Sequence, residues 1–318
     1  MKKSVFVILY SIIAVLSFGA VRDLGRVQVE SDRVFKTKYV IVLVIDGPRW
    51  SETYGDTSHQ YIPRLYNDLM PQATFVNDFR NNGPTYTVPG HTAICTGVYQ
   101  NMSNDGRTIP KNPSMFQYYM KEKRLHRSSA WVISPKGKLN VLANCKDKEW
   151  HNQYMPYASC GKKATGYGYA RDSETWVDIV NILKTHPSLT LINLLEADNQ
   201  GHAGNWEGYL DGIRNTDEYA YLLWNIIQDD PVYKDKTALF ITNDHGRHLD
   251  DVKDGFISHG DGCEGCRKIS LMCLGPDFKA GKFVETQYEQ IDIAPTIAEM
   301  LGFSIPTADG VVMWDVFE

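Results

Sequence analysis

The chain has 318 residues, 43% of them hydrophobic and 22% charged, which is enough for one large α/β domain or two small ones with a sizeable core. A net charge of -5 argues against binding to nucleic-acid polymers, which goes with a basic excess. It leaves small phosphate-bearing molecules open, because bound cations reverse a local field.

Lys2 and Lys3 precede an apolar run over residues 5–18, and small residues Ser17, Gly19 and Ala20 follow. This pattern reads as a signal peptide over residues 1–20, leaving a single domain over 21–318 that is secreted or periplasmic. The run is short for a membrane span, Arg22 and Asp23 follow it, and no later stretch is apolar enough to cross, so no stable span is expected after cleavage. After a polar lead-in, residues 39–45 form a continuous β-branched run, as a buried parallel strand requires. Residues 62–70 read as a helix with Pro63 in its first turn. Residues 73–77 read as a strand, and His91 opens a short helix after Pro89-Gly90.

Residues 114–123 are helical and 130–134 strand-like. Residues 135–172 lack periodicity and read as a long excursion over the active-site face, partly pinned by Cys145 and Cys160. A helix over 174–185, a strand over 189–195 and a long helix within 205–227 come next. Strands over 238–242 and 269–274 precede a last helix from Asp292, which Gly302 stops. Alternating strands and helices give an α/β fold with a mostly parallel central sheet and helices on both faces. Ligands gather beyond the carboxyl ends of such strands.

Four patches lie at or beyond such ends. They are Val44-Ile45-Asp46-Gly47, Asp198-Asn199-Gln200-Gly201-His202, Asn243-Asp244-His245-Gly246 and Ser258-His259-Gly260. Carboxylate oxygen with imidazole nitrogen suits divalent zinc or a similar ion, and six such ligands exceed what one tetrahedral ion needs. Two ions are the natural reading. Asp198 and His202, four apart, share a face if that turn is helical. Thr87, in Thr85-Tyr86-Thr87-Val88-Pro89-Gly90-His91, offers a hydroxyl nucleophile. A hydroxyl beside two metals suits displacement at phosphorus. His248, Asp250 and Asp251 crowd the same region and read as solvent-facing or supporting. Tyr86, Trp206 and Tyr209 are candidates to stack on a base or sugar, with a core role as the default for any aromatic.

All six cysteines fall in a compartment that permits pairing if the signal is cleaved. Cys263 and Cys266 form a Cys-Glu-Gly-Cys turn. A local disulfide or free thiols is favoured there over half a zinc site, because no second such pair exists.

These patches, with Thr96-Gly97-Val98-Tyr99, Leu274-Gly275-Pro276-Asp277-Phe278-Lys279 and the last helix, resemble the alkaline phosphatase superfamily, and within it the nucleotide pyrophosphatase/phosphodiesterase branch. The resemblance implies that Asp46, Thr87, Asp244 and His245 surround one zinc and that Asp198, His202 and His259 hold the other. It implies a phospho-threonine on Thr87, then hydrolysis of a phosphodiester or pyrophosphate in a small phosphate-ester substrate. Sulfatases carry a Cys or Ser followed by Pro and Arg in this position, and this chain does not. Two departures matter. The Asn that contacts a phosphoryl oxygen in the branch does not align cleanly, and Asn104 is the candidate. The segment between His245 and His259 is short, which implies a minimal cap. Phosphomonoester or phosphonate hydrolysis on the same core, with Arg107, Arg247 or Lys268 as a cationic clamp, is the alternative. Transfer of a phospho-headgroup to an alcohol and a non-catalytic binding role are further ones.

Overall fold

The first strand, β1 (Tyr39–Ile45), explains how the sequence builds the sheet. Its residues are apolar almost throughout because both faces are covered. Val40, Val42 and Val44 enter one core with Ile94, Phe116 and Ile297. Ile41, Leu43 and Ile45 enter another with Ile179, Leu210 and Leu223. Each such fully buried side chain contributes about 1.5–3 kcal/mol. Changing one Val or Ile here to Asp would bury an unpaired charge in the layer it faces.

The computed structural model describes residues 33–317. The expected signal over 1–20 lies outside the described residues. Further strands are β2 (Thr74–Arg80), β3 (Ala130–Ser134), β4 (Tyr157–Cys160) and β5 (Leu189–Leu194). They are followed by β6 (Thr237–Asn243), β7 (Lys268–Leu274), β8 (Lys282–Val284) and β9 (Tyr288–Glu289). The sheet runs β4-β3-β5-β1-β6-β7-β2-β8, with β9 beside β2. From β4 to β6 every pairing is parallel, and β7 runs antiparallel to both its neighbours. The sheet is therefore mixed but mostly parallel.

The helices are α1 (Thr87–Thr96), α2 (Met115–Lys123), α3 (Asp172–Leu183) and α4 (Glu196–His202). After them come α5 (Trp206–Asp229), α6 (Glu264–Arg267) and α7 (Ile293–Leu301). Helices α1, α2 and α7 pack on one sheet face, and α3 and α5 on the other. A capping box between Ser114 and Gln117 starts α2, and Gly302 in the left-handed region ends α7. Among the described residues no helix is long and apolar enough to cross a membrane.

Three elements differ from the sequence reading. Residues Arg64–Leu69 wind as a π-helix, its first amides held by Asp217. The excursion over 135–172 contains β4, a sheet edge that pairs with β3. Cys145 and Cys160 are both buried free thiols, so strand pairing rather than a disulfide holds this segment. Finally, α1 begins at Thr87 instead of His91, which puts the hydroxyl in the first turn of a helix.

Candidate metal centre and active site

Four adjacent parallel strands, β3, β5, β1 and β6, deliver their carboxyl ends to one edge. Asp46 follows β1 directly, Asp244 follows β6, and α4 after β5 carries Asp198 and His202. Asp172 fixes the start of α4 by accepting the Leu195 and Glu196 amides, both at 2.9 Å. The helix places Asp198 and His202 on one face, with Asp198 Oδ1 3.4 Å from His202 Nε2.

The expected ligands assemble as two separate sets: Asp46, Asp244 and His245, and Asp198, His202 and His259. In the first, His245 Nε2 lies 3.6 Å from Asp46 Oδ1 and 3.3 Å from Asp244 Oδ2. In the second, His259 Nε2 lies 3.5 Å from Asp198 Oδ1 and 3.0 Å from His202 Nε2. A tetrahedral zinc with bonds of about 2.0–2.1 Å keeps its ligand atoms about 3.3 Å apart, so both sets have the edges of such a site. The rings of His245 and His259 stack at 3.7 Å, which makes the two sets neighbours.

The donor chemistry fits metal ions. Asp46 Oδ1, Asp244 Oδ2 and His245 Nε2 are buried and have no hydrogen-bond partner. Three lone-pair donors facing one another without a proton between them is a costly arrangement unless a cation fills it. His245 Nδ1 donates to Gly246 O at 2.9 Å and His259 Nδ1 to Thr85 O at 2.7 Å, which turns each Nε2 lone pair inward. Burial holds His245 well below its ordinary pKa, and burial lowers His202 to about 4 despite the nearby Asp198. Burial and the Asp244 carboxylate push Asp46 up. Burial acts to raise Asp198 as well, but Lys136, His259, His245 and Arg247 hold it well below the usual carboxylate range.

Lys136, which the sequence reading missed, is the hub of the site. Its Nζ lies 2.5 Å from Asp198 Oδ2, 2.9 Å from Asp46 Oδ2 and 3.3 Å from Thr87 Oγ1. Burial works against its charge, but Asp198, Asp46 and Asp244 outweigh that and keep the ammonium protonated. Its backbone amide is fixed by Ser134 Oγ, which in turn donates to Asn193, whose amide holds Asp46 Oδ2 at 3.2 Å. The available signal was its place two residues past β3, on the same edge as the aspartates.

Thr87 is buried beside Lys136 in the first turn of α1. Asn104 comes to the same turn: its Oδ1 accepts from the Val88 amide at 2.9 Å and from Lys138 Nζ at 3.2 Å. His91 is buried in α1, and its Nδ1 bonds Thr87 O at 2.9 Å and lies 3.4 Å from Asp244 Oδ2. Helix α1 passes so close to β6 that a Cβ on Gly90 would stand 2.6 Å from Asp244 O. Gly90→Ala should therefore cost about 1–3 kcal/mol of stability, read as a lower midpoint in urea.

The proposed cationic clamps fall elsewhere. Arg247 is fully buried and bonds Asp198 Oδ1 at 2.5 Å, Ile257 O at 2.8 Å and Phe256 O, so its charge supports the second ligand set. Arg107 is 88% exposed, and Lys268 stacks on Trp50. Tyr209 is a core residue whose hydroxyl accepts from the Arg49 amide. Tyr86 stands edge-on to His259 and Trp206 edge-on to Phe256, both partly exposed. Asp250 pairs with Arg49.

Comparison with known proteins finds the same fold elsewhere. Murine ectonucleotide pyrophosphatase/phosphodiesterase 5 superposes with a TM-score of 0.61 at 14% identity, covering 88% of this chain and 100% of that one. A phosphonate monoester hydrolase from Silicibacter pomeroyi gives 0.62 at 14% identity, covering 88% and 76%. These two share the fold. In sequence, GPI ethanolamine phosphate transferase 1 of Mus musculus is 23% identical over 301 residues, 85% of this chain and 32% of that protein. The chain thus spans about a third of the length of the curated relatives it matches. The family model for type I phosphodiesterase / nucleotide pyrophosphatase matches residues 40–250, a span that holds Thr87 and every proposed ligand except His259, and to that family of phosphoester-acting enzymes this chain belongs.

Proposed function

We propose that this chain cleaves phosphodiester bonds with two divalent ions, zinc by ligand chemistry, through a phospho-threonine on Thr87. The observation that carries this reading is the pair of adjacent three-donor sets beside the first turn of α1. Asp46, Asp244 and His245, with Thr87, would hold one ion, and Asp198, His202 and His259 the other. When bound, the ions supply positive charge to the attacking and leaving oxygens.

The chain's own residues do the rest. Thr87 Oγ1 forms the new bond to phosphorus as the bond to the leaving oxygen breaks. The threonine proton goes to solvent, because Lys136 is kept protonated and cannot take it, and the Lys136 ammonium stabilises the negative Oγ1 that attacks. Asn104, whose Oδ1 accepts from the Val88 amide and from Lys138 Nζ, would contact a phosphoryl oxygen through its side-chain N–H groups, with Lys138 adding positive charge. The half-exposed side chain of His202 marks the open side, where the leaving group departs and the second nucleophile arrives. Water there breaks the bond from phosphorus to Thr87 Oγ1 and releases the phosphomonoester, with the hydroxyl of Thr87 restored.

A second reading follows from the similarity to a phosphate transferase over most of this chain. An alcohol arriving instead of water would receive the phosphoryl group with its headgroup attached, and the same first half-reaction serves both outcomes. The deciding experiment offers zinc-loaded protein an aryl phosphodiester and the matching monoester, with and without an added alcohol, and follows both products by mass. Faster turnover of the diester, lost on chelation and restored by zinc, supports the proposal. Capture by the alcohol beyond its share of collisions supports transfer. Turnover that survives chelation, or a preference for the monoester, overturns the diesterase reading.

Lys138 makes a pH prediction. Burial, with Lys136 close by, lowers it to about 8, so it loses its proton as pH rises through that value. Bound cations would move this loss to lower pH, never higher. Activity should therefore fall on an alkaline limb at or below about pH 8, and Lys138→Met should flatten that limb in a kcat/KM profile.

A further inference from the structure

The segments just after His245 and just after His259 carry a third group of metal-type donors. One atom each from His248, Asp261, Cys263 and Cys266 lies within 4.8 Å of the others. His248 is buried, and its Nε2 has no hydrogen-bond partner. That atom lies 3.3 Å from Asp261 Oδ2, again the edge expected of a tetrahedral site. The other ring nitrogen, Nδ1, is 3.2 Å from both Asp254 Oδ1 and Ser258 Oγ. A carboxylate on Nδ1 fixes the ring with the Nε2 lone pair pointing into the cluster, as in carboxylate–histidine–metal triads. The two cysteines are free thiols.

We propose that His248, Asp261, Cys263 and Cys266 bind one structural divalent ion, zinc by its two sulfur ligands, outside the catalytic donor sets. Binding exchanges the two thiol protons for the metal: both protons go to solvent, and both sulfurs coordinate as thiolates. Four protein ligands close the coordination sphere, which suits a structural role rather than a catalytic one. The sequence spacing hid the site because its second half is a His and an Asp instead of another cysteine pair. Lys253 Nζ, 2.8 Å from Asp261 Oδ2, offsets the excess negative charge and makes Asp261 the weakest ligand.

The consequence is mechanical. His248 follows His245 by three residues and Asp261 follows His259 by two, so the ion would clip together the ends of the loop that separates these two catalytic ligands. The Gly246 amide already bonds Cys266 O at 2.9 Å along the same seam.

Cobalt substitution in the full chain tests this directly, because among the metal-type donor groups of the described residues only this cluster offers sulfur. Cobalt-loaded wild type should show sulfur-to-cobalt charge-transfer absorption. The band should persist in Asp46→Asn/Asp198→Asn protein and disappear in Cys263→Ser/Cys266→Ser protein. Zinc content should fall by one equivalent per chain in the cysteine variant. Should that variant fail to fold, wild type alone decides the matter through its band and its thiol count. No charge-transfer band, with both thiols reactive toward a thiol reagent in the presence of zinc, overturns the proposal. A Cys263–Cys266 disulfide found by peptide mapping overturns it too. Persistence of the band in the aspartate variant separates this result from any failure of the catalytic reading.

Discussion

Thr87→Ala should lower diester turnover by on the order of 10⁴–10⁶-fold while leaving the fold and metal content nearly intact. The asymmetry comes from what the hydroxyl touches. Thr87 is buried, but its oxygen lies 3.3 Å from Lys136 Nζ, and the start of α1 is held by backbone and by Asn104. Removing the hydroxyl therefore leaves no stranded backbone donor, and the stability change should stay within about 1 kcal/mol. Thr87→Ser keeps the nucleophile and should remain active. Acid-quenched wild type mixed with substrate should carry a phosphoryl group on the peptide containing Thr87, and the Ala variant none. If Thr87→Ala retained a tenth of wild-type turnover, water would be attacking directly, and Thr87 would be a positioning residue only.

The proposed ligand aspartates were legible as a cluster because chemistry and periodicity coincide there. Asp46 and Asp244 end uninterrupted apolar runs, and a parallel sheet sends such ends to one edge. The pairing of Asp198 with His202 needed only the assumption of a helical turn, and α4 is that turn. What stayed hidden has physical causes. Strand β4 is four residues long and half covered, so it offers too little alternation to separate it from loop. Lys136 lies in the same aperiodic segment, residues 135–172, and a lysine is by default a surface residue. Only tertiary structure reveals that three carboxylates surround it. Arg247 is the converse case. Its position beside the ligands suggested substrate contact, yet burial under residues 256–257 turns its donors toward Asp198 and backbone carbonyls.

Lys136→Met should act in opposite directions on the ion-free and the zinc-loaded protein. Without ions, Lys136 is the nearest counter-charge to Asp46 and shares Asp198 with Arg247, both aspartates being buried. Removing one partner of a buried ion pair costs about 3–5 kcal/mol, because the remaining charge stays desolvated. In a domain of this size that corresponds to a melting midpoint lower by roughly 10 °C. Zinc then meets carboxylates relieved of a competing cation, so the variant should bind it more tightly and recover much of the lost stability. Turnover should not recover with it. The ammonium 3.3 Å from Thr87 Oγ1 is a donor to the reacting oxygen, and loss of one such donor typically costs about 10²–10³ in kcat. Calorimetry with and without zinc, paired with kcat at saturating metal, separates the two effects. A variant as stable as wild type when ion-free would mean that Lys136 does not carry the charge balance. A variant with weaker zinc affinity would mean that Lys136 supports the metal sites instead of competing with them. Either result would move its role from the reacting oxygen to the scaffold.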